Sequence, residues 1–365
     1  MRPERVARGY RDRMDRLARR RSTALIALGA VAALLAGCAG APEPAPISTS
    51  AAPEPTPEAP FTPAYVAPED FDLAPLTGER IAVGGLASPS LAAKIDNHPR
   101  ARPQIGIDRA DIVFEELVEG GLTRYVAVWH SDVPAEIGPI RSIRPMDPDI
   151  VSPLRGIIAY SGGQQRFVDM MRATDVYNAI HGQADTDSVM FRGGNAPAPH
   201  NVIVRAPQLI AQHGELAAPQ QHFAYAADAA SATAVRDGDA VSGASLVFGS
   251  LATPSWAWDA GSGTWLRTMT GGAPDVAAGG TRLSAVNLVI LRVLVAVIQD
   301  IPTTQMIGGG EAFVLSGGKA LKVAWSKADR NAPVRLVDAN GLAVRLAPGN
   351  TWVELVPTAG SVTIR

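Results

Sequence analysis

The chain holds one cysteine, Cys38, and that residue constrains everything after it. A lone cysteine excludes an internal disulfide and any Cys-based zinc or iron–sulfur site, so the folded part must rest on a hydrophobic core. Its position says more. Arg2 to Arg21 form a basic stretch, and Thr23 to Ala36 form an apolar run that closes on Leu35-Ala36-Gly37-Cys38. A basic head, a short apolar run and small residues are the layout of a secretory signal. The fourteen residues of the run fall short of a bilayer span, which needs about 20. Arg19-Arg20-Arg21-Ser22 also offers a twin-arginine pair, as any Arg-rich head does.

Leu35-Ala36-Gly37-Cys38 resembles the lipobox of bacterial lipoproteins. The resemblance implies that the Cys38 thiol carries diacylglycerol, that the chain is cut before it, and that the new amino terminus can be acylated too. Two or three palmitate-like chains, at about 0.8 kcal/mol per buried CH2, anchor stably where one would be marginal. The expectation is a lipoprotein signal peptide over 1–37 and a protein anchored to the cell membrane on its extracytoplasmic face. The alternative is an ordinary signal peptide with a chance cysteine, or an uncleaved anchor. Residues 38–72 follow as a tether, in which Pro42, Pro44, Pro46, Pro53, Pro55, Pro57, Pro60, Pro63 and Pro68 alternate with Ala, Glu, Ser and Thr. Such a segment buries no core and reaches roughly 3.1 Å per residue where it is polyproline-like.

Charge narrows the partners. The whole chain carries a formal −2, but residues 1–37 hold nine Arg against three acidic residues, which leaves −8 on the remainder. An acidic body has no electrostatic footprint for nucleic acid. With 47% apolar and 19% charged residues, a sizeable core is available.

Leu91 to Ile95 reads as a short buried strand delivering Asp96-Asn97-His98-Pro99 into a turn. Residues 111–118 and 122–130 read as strands of a hairpin closed by Gly120-Gly121 as a two-residue loop. That loop sets Glu119 opposite Leu122 and Leu117 opposite Arg124. One face then carries Ile112, Phe114, Glu116, Thr123, Tyr125 and Trp129, and the other Glu115, Glu119, Arg124, Val126 and His130. Residues 156–163 followed by 164–173 read as strand, glycine turn and helix, with Phe167, Met170 and Met171 as its apolar stripe. Neither a Walker pattern nor GxGxxG is present there. Beyond about Ala218 short runs alternate with turns, and the apolar stretch 283–298 reads as buried strand. The expected architecture is an α+β or α/β domain over 73–217, built on a sheet that contains the hairpin, followed by a mostly β domain over 218–365.

Candidate chemistry concentrates in the first domain. Asp96, Asn97, His98, Arg124, Arg141, Ser142, Arg144, His200 and Asn201 are candidate ligand-binding residues. Guanidinium forks suit planar anions, and Pro139 and Pro145 flank the loop that carries two of them. The arginines could equally neutralise Glu115, Glu116 or Asp147. Glu115, Glu116 and Glu119 are candidate acid and base residues for a glycosidic bond, or else members of a structural ion-pair cluster with Arg124. Asp96, His98, His130 and His200 could ligate a metal, but neither HExxH nor tight His spacing supports it, and no metal is assigned. No serine lies in a GxSxG context. Trp256 and Trp258 fall on one face of a strand, fit either to stack on sugar rings or to fill a core.

Several stretches together are similar to the bacterial YerB-like lipoproteins: KIDNHPRARPQIGIDRADIVFEELVEGGLTRYVAVWHS, IGPIRSIRP, APHNV and LAPGNTWVELVP. The resemblance covers essentially all of 73–365 and is most specific in the N-terminal half. It implies a surface lipoprotein with a two-part extracytoplasmic region, and it brings no established reaction or ligand. The leading expectation is a lipid-anchored envelope protein that binds an anionic cell-wall component, such as a peptidoglycan-type glycopeptide, or a wall-assembly partner protein. No cofactor is expected beyond the covalent lipid on Cys38. An envelope hydrolase using a carboxylate and His98 or His200 as an acid–base pair is the rival. A solute-binding lipoprotein is a third reading, which needs a second βαβ lobe.

Overall fold

The computed structural model describes residues 70–365, Asn195 apart. The expected lipidation site Cys38, the expected signal and most of the expected tether lie outside the described residues. The described residues belong to one compact unit.

The strand expected at 91–95 is Leu91–Asp96 (β1), buried along its whole length. The hairpin is Ile112–Leu117 (β2) and Thr123–Trp129 (β3). Glu136–Ile140 (β4) follows, then the short helix Asp147–Val151 (α1), the strand Ile157–Tyr160 (β5), the helix Gln165–Arg172 (α2) and the strand Tyr177–Ile180 (β6). Met190–Arg192 (β7) and Val202–Arg205 (β8) close the first half. The second half adds Gly243–Val247 (β9), Ser255–Asp259 (β10), Thr264–Thr268 (β11), Asn287–Val293 (β12), Gly308–Ser316 (β13), Lys319–Lys327 (β14), Thr351–Pro357 (β15) and Ser361–Ile364 (β16). The apolar stretch 283–298 supplies β12, whose residues are buried except Arg292, but its end departs from the buried-strand expectation: Val295–Ile298 pairs with Ile301–Thr304 in a separate hairpin that leaves Val297 and Ile298 exposed.

One sheet runs through both halves in the order β14–β13–β12–β15–β2–β3–β1–β4–β8–β7. Its centre is a late strand: β15 lies parallel to β12 on one side and parallel to β2 on the other. A second sheet, with β11–β10–β9–β16 in that order, packs its Trp256 edge-on to Trp352 of β15, ring centroids 5.2 Å apart. The β-rich character expected of the C-terminal half is present. The N-terminal half combines its strands with the helices α1 and α2 and a third, Ala206–Gln212, and its sheet is mixed rather than a regular α/β alternation. Its single β–α–β step is β5–α2–β6, with β5 and β6 parallel.

The hairpin register also differs from the sequence reading. Glu119 joins the glycines in a three-residue turn, closed by the Val118 N–H donating to the Leu122 carbonyl at 2.8 Å. Gly120 and Gly121 both take positive φ there, at 72° and 71°, which side chains resist. Leu117 therefore faces Thr123, and Glu116 faces Arg124. Because side chains alternate, this one-residue slip exchanges the faces of one strand relative to the other. Phe114, Glu116, Arg124 and Val126 share one face, and Val113, Glu115, Thr123 and Tyr125 share the other.

Each face has its own core. Ile112, Phe114, Val126 and Val128 meet Ile143, Ile150, Phe167 and Met171 on the first. Val113, Tyr125, Ala127 and Trp129 meet Trp256, Trp265 and Trp352 on the second. Burying each large apolar side chain contributes about 1.5–3 kcal/mol, so both faces are fixed firmly enough to carry charge between them.

Candidate functional site

Polar residues gather on both faces at one end of the sheet, where β1 ends and β3 begins. On the first face Lys94 is fully buried and ion-paired to Glu116 and to Asp147, the latter at 2.7 Å. Burial, only partly offset by Asp147, brings the Lys94 ammonium down to about 8. The same Asp147 accepts the Arg144 backbone N–H at 2.6 Å and so fixes the loop carrying Arg141 and Arg144.

Three arginines converge above this buried trio. Arg141 pairs with Asp96 at 3.1 Å, and Arg144 pairs with Glu119 at 2.7 Å. Arg124 is 8% exposed and donates to the Ser142 carbonyl at 2.9 Å. Among the described residues it has no carboxylate within 4.0 Å, although Glu116 lies opposite it in the hairpin. Burial, then the charges of Arg144 and Arg141, lower its pKa to about 10. Arg144 also donates to the Ser142 carbonyl, at 3.4 Å. Asp96 ties the histidines in: it accepts from Nδ1 of His200 at 2.7 Å and from the His98 backbone at 3.0 Å. His98 and His200 stack with centroids 4.5 Å apart.

The second face carries a cavity of about 390 Å³ lined by Asn97, Arg102, Glu115, Thr123, Arg267 and an apolar rim that includes Leu122, Leu251 and Met269. Its floor is a closed network. Arg267 bonds Glu115 and Asp275, Arg102 bonds Asp275 and Asn97, and Thr123 donates to Glu115. Behind it, Glu354 accepts from Trp256 Nε1 at 2.7 Å. Burial, then the neighbouring Glu115 carboxylate, push Glu354 well above the usual carboxylate range, so it holds its proton.

Of the residues singled out from the sequence, Asp96, His98, Arg124, Arg141, Ser142, Arg144 and His200 come together on the first face. Asn97 turns to the cavity, and Asn201 accepts from Arg192 at 2.8 Å. The three glutamates do not form an acid–base pair with one another. Glu115 lies at the cavity floor, Glu116 under Lys94 on the opposite face, and Glu119 in the turn on Arg144. Trp256 is fully buried in the core and Trp258 is tilted against Trp265, so the pair forms no open stacking platform. His130 sits apart, its Nε2 within 3.0 Å of the Ser88 carbonyl. Sequence reasoning missed Lys94, Arg267, Asp275 and Glu354. Lys94 and Glu354 carried a signal, each being a charge set between apolar neighbours inside a strand.

Among the described residues no helix is long and apolar enough to cross a membrane. The chain matches the N-terminal domain of a protein family of unknown function (DUF3048) over residues 76–220 and that family's C-terminal domain over 244–353. It is 34% identical over 131 residues to "Putative lipoprotein YerB" of Bacillus subtilis (strain 168), a match covering 35% of this chain and 38% of that protein. The match therefore spans well under half the length of that curated relative. The crystal structure of YerB protein from Bacillus subtilis is similar with a TM-score of 0.68 at 21% identity, over 80% of this chain and 99% of that one, and so shares its fold. The chain belongs to the DUF3048 family of YerB-like proteins.

Proposed function

We propose that this chain is a lipid-anchored protein of the extracytoplasmic face of the cell membrane that binds an anionic group of a cell-wall component through Arg124, Arg141 and Arg144. One observation carries the reading. Arg124 is a nearly buried guanidinium flanked by two others, and its recorded partner is a carbonyl oxygen rather than a carboxylate. A protein bears the cost of gathering like charges where an incoming anion offsets it, and charge-assisted bonds to guanidinium are the strong ones. Lys94, Glu116 and Asp147 underneath hold the arginine loop in place. The anchor expected at Cys38 and the proline-rich tether would set such a site within reach of the wall.

The test is co-sedimentation of the full chain, purified in detergent, with isolated peptidoglycan sacculi. The wild type is expected to pellet, and Arg124→Ala to lose at least about tenfold in apparent affinity, the effect of about 1.4 kcal/mol. Equal pelleting of the two proteins would remove the arginines from the site. No pelleting of either would remove the wall component and favour a protein partner.

A further inference from the structure

Beside the arginines stands an arrangement that anion binding does not require. Asp96 is buried and accepts from Nδ1 of His200 at 2.7 Å, which leaves the His200 Nε2 with its lone pair. The His98 ring lies over it, 20° from parallel. His98 Nδ1 accepts the Arg100 backbone N–H at 3.1 Å, and that bond fixes the His98 proton on Nε2. Burial, followed by the neighbouring His200, keeps His98 below the ordinary imidazole range and hence neutral. The stack thus offers one basic nitrogen and one N–H donor, with the Arg141 guanidinium on the same Asp96.

We infer that Asp96 and His200 form a general-base pair that hydrolyses a phosphodiester held at Arg124, Arg141 and Arg144. The inference rests on the anion-binding reading above and adds a reaction to it. The charged groups facing the stack and the arginines balance. Lys94, Arg124, Arg141 and Arg144 stand against Asp96, Glu116, Glu119 and Asp147, while the exposed Arg100 lies at the rim. With these charges cancelling, the one guanidinium that lacks a carboxylate offers its fork to the single charge of a diester, and the balanced site holds no surplus for the second charge of a monoester. In the step, a water oxygen bonds to phosphorus while one of its protons passes to Nε2 of His200. The phosphorus–oxygen bond to the leaving alcohol breaks, and that oxygen takes a proton from solvent. The imidazolium then returns its proton to solvent, so one water is divided between a phosphomonoester and an alcohol. Asp96 keeps His200 in the productive tautomer, and the His98 N–H with the arginines receives the charge on the phosphoryl oxygens.

The test uses the full chain in detergent with bis(4-nitrophenyl) phosphate as probe and 4-nitrophenyl phosphate as the monoester control. The wild type is expected to release nitrophenol from the diester and far less from the monoester. His200→Ala should lower kcat by about 10²–10⁴-fold, and added imidazole should restore part of the rate. Asp96→Asn should lower kcat with KM little changed, the mark of a wrong tautomer. Should His200→Ala fail to fold, His200→Gln keeps a polar group facing Asp96 and serves in its place. No turnover by the wild type, turnover that survives both His200 variants, or monoester cleavage as fast as diester cleavage would each overturn the inference. Sedimentation of the same preparations with sacculi separates the two readings. Arg124-dependent pelleting without turnover leaves the binding reading standing and removes the reaction, whereas loss of both removes both.

Discussion

Glu354 lies in register beside Glu115 across the parallel strands β15 and β2, and both carboxyls are buried around one guanidinium, that of Arg267. Two such groups at one position of adjacent strands are tolerated because one is protonated. Glu354 holds the proton, and Trp256 donates to its other oxygen.

That proton makes stability depend on pH with a definite sign. Glu354 is raised in the folded state from its ordinary value of 4.5, so above that pH the unfolded chain releases a proton the folded chain keeps. Its contribution is complete below 4.5 and is lost as pH rises towards the folded value, at about 1.4 kcal/mol per pH unit for one proton. Glu354→Gln keeps the shape and an N–H donor. Urea unfolding at pH 5 and pH 8 should find the variant close to wild type at the lower pH and the more stable of the two at the higher. A wild-type slope retained in the variant would place the proton elsewhere.

Lys94 answers to the opposite sign. Its ammonium falls from 10.5 to about 8 on folding, so between those values the unfolded chain binds the extra proton and stability rises with pH. Lys94→Met should abolish that rise. It should also cost about 3–5 kcal/mol near neutrality, because Glu116 and Asp147 are left buried without a cation. Adding Glu116→Gln should recover a large part of the loss, an interaction read directly from a double-mutant cycle in denaturant.

Arg124→Met should separate stability from binding. Removing a guanidinium crowded by Arg144 and Arg141 relieves repulsion and desolvation, and we expect thermal unfolding in the absence of ligand to show a gain of about 1 kcal/mol. Binding to sacculi should fall at the same time. Arg124→Lys should not restore it, since a point charge cannot reproduce the planar fork. A variant both less stable and equally well bound would show Arg124 to be a structural residue.

Cys38→Ser tests the anchor. Detergent phase partition of cell extracts should find the wild type with the detergent and the variant in the aqueous phase or with its signal uncleaved. Two acyl chains supply many kcal/mol of membrane affinity that no side chain of the tether replaces.

The sequence made the individual strands legible where apolar residues ran unbroken, as in Leu91–Asp96 and Asn287–Val293, and it marked the arginines and histidines that meet around Asp96. What it did not make legible was pairing. The turn at Glu119–Gly121 takes one residue more than two glycines suggest, and that residue decides whether Leu117 or Glu116 faces Arg124. Arg267 and Glu354 could not be assigned to the site from local pattern at all. They reach Glu115 from residues 152 and 239 positions further along the chain, and only the sheet order brings them together.

The placement of β15 between β2 and β12 has a consequence for how the molecule comes into being. A chain synthesised amino end first presents β2 long before Thr351 arrives to pair with Ile112. Until then the edge of β2 stands open, and fragments cut near residue 218 leave it so permanently. Folding must wait for a long-range closure, which makes it slow and leaves the incomplete chain open to pairing with its neighbours. The two halves of the sequence thus share one long-range closure, and neither half carries the whole sheet.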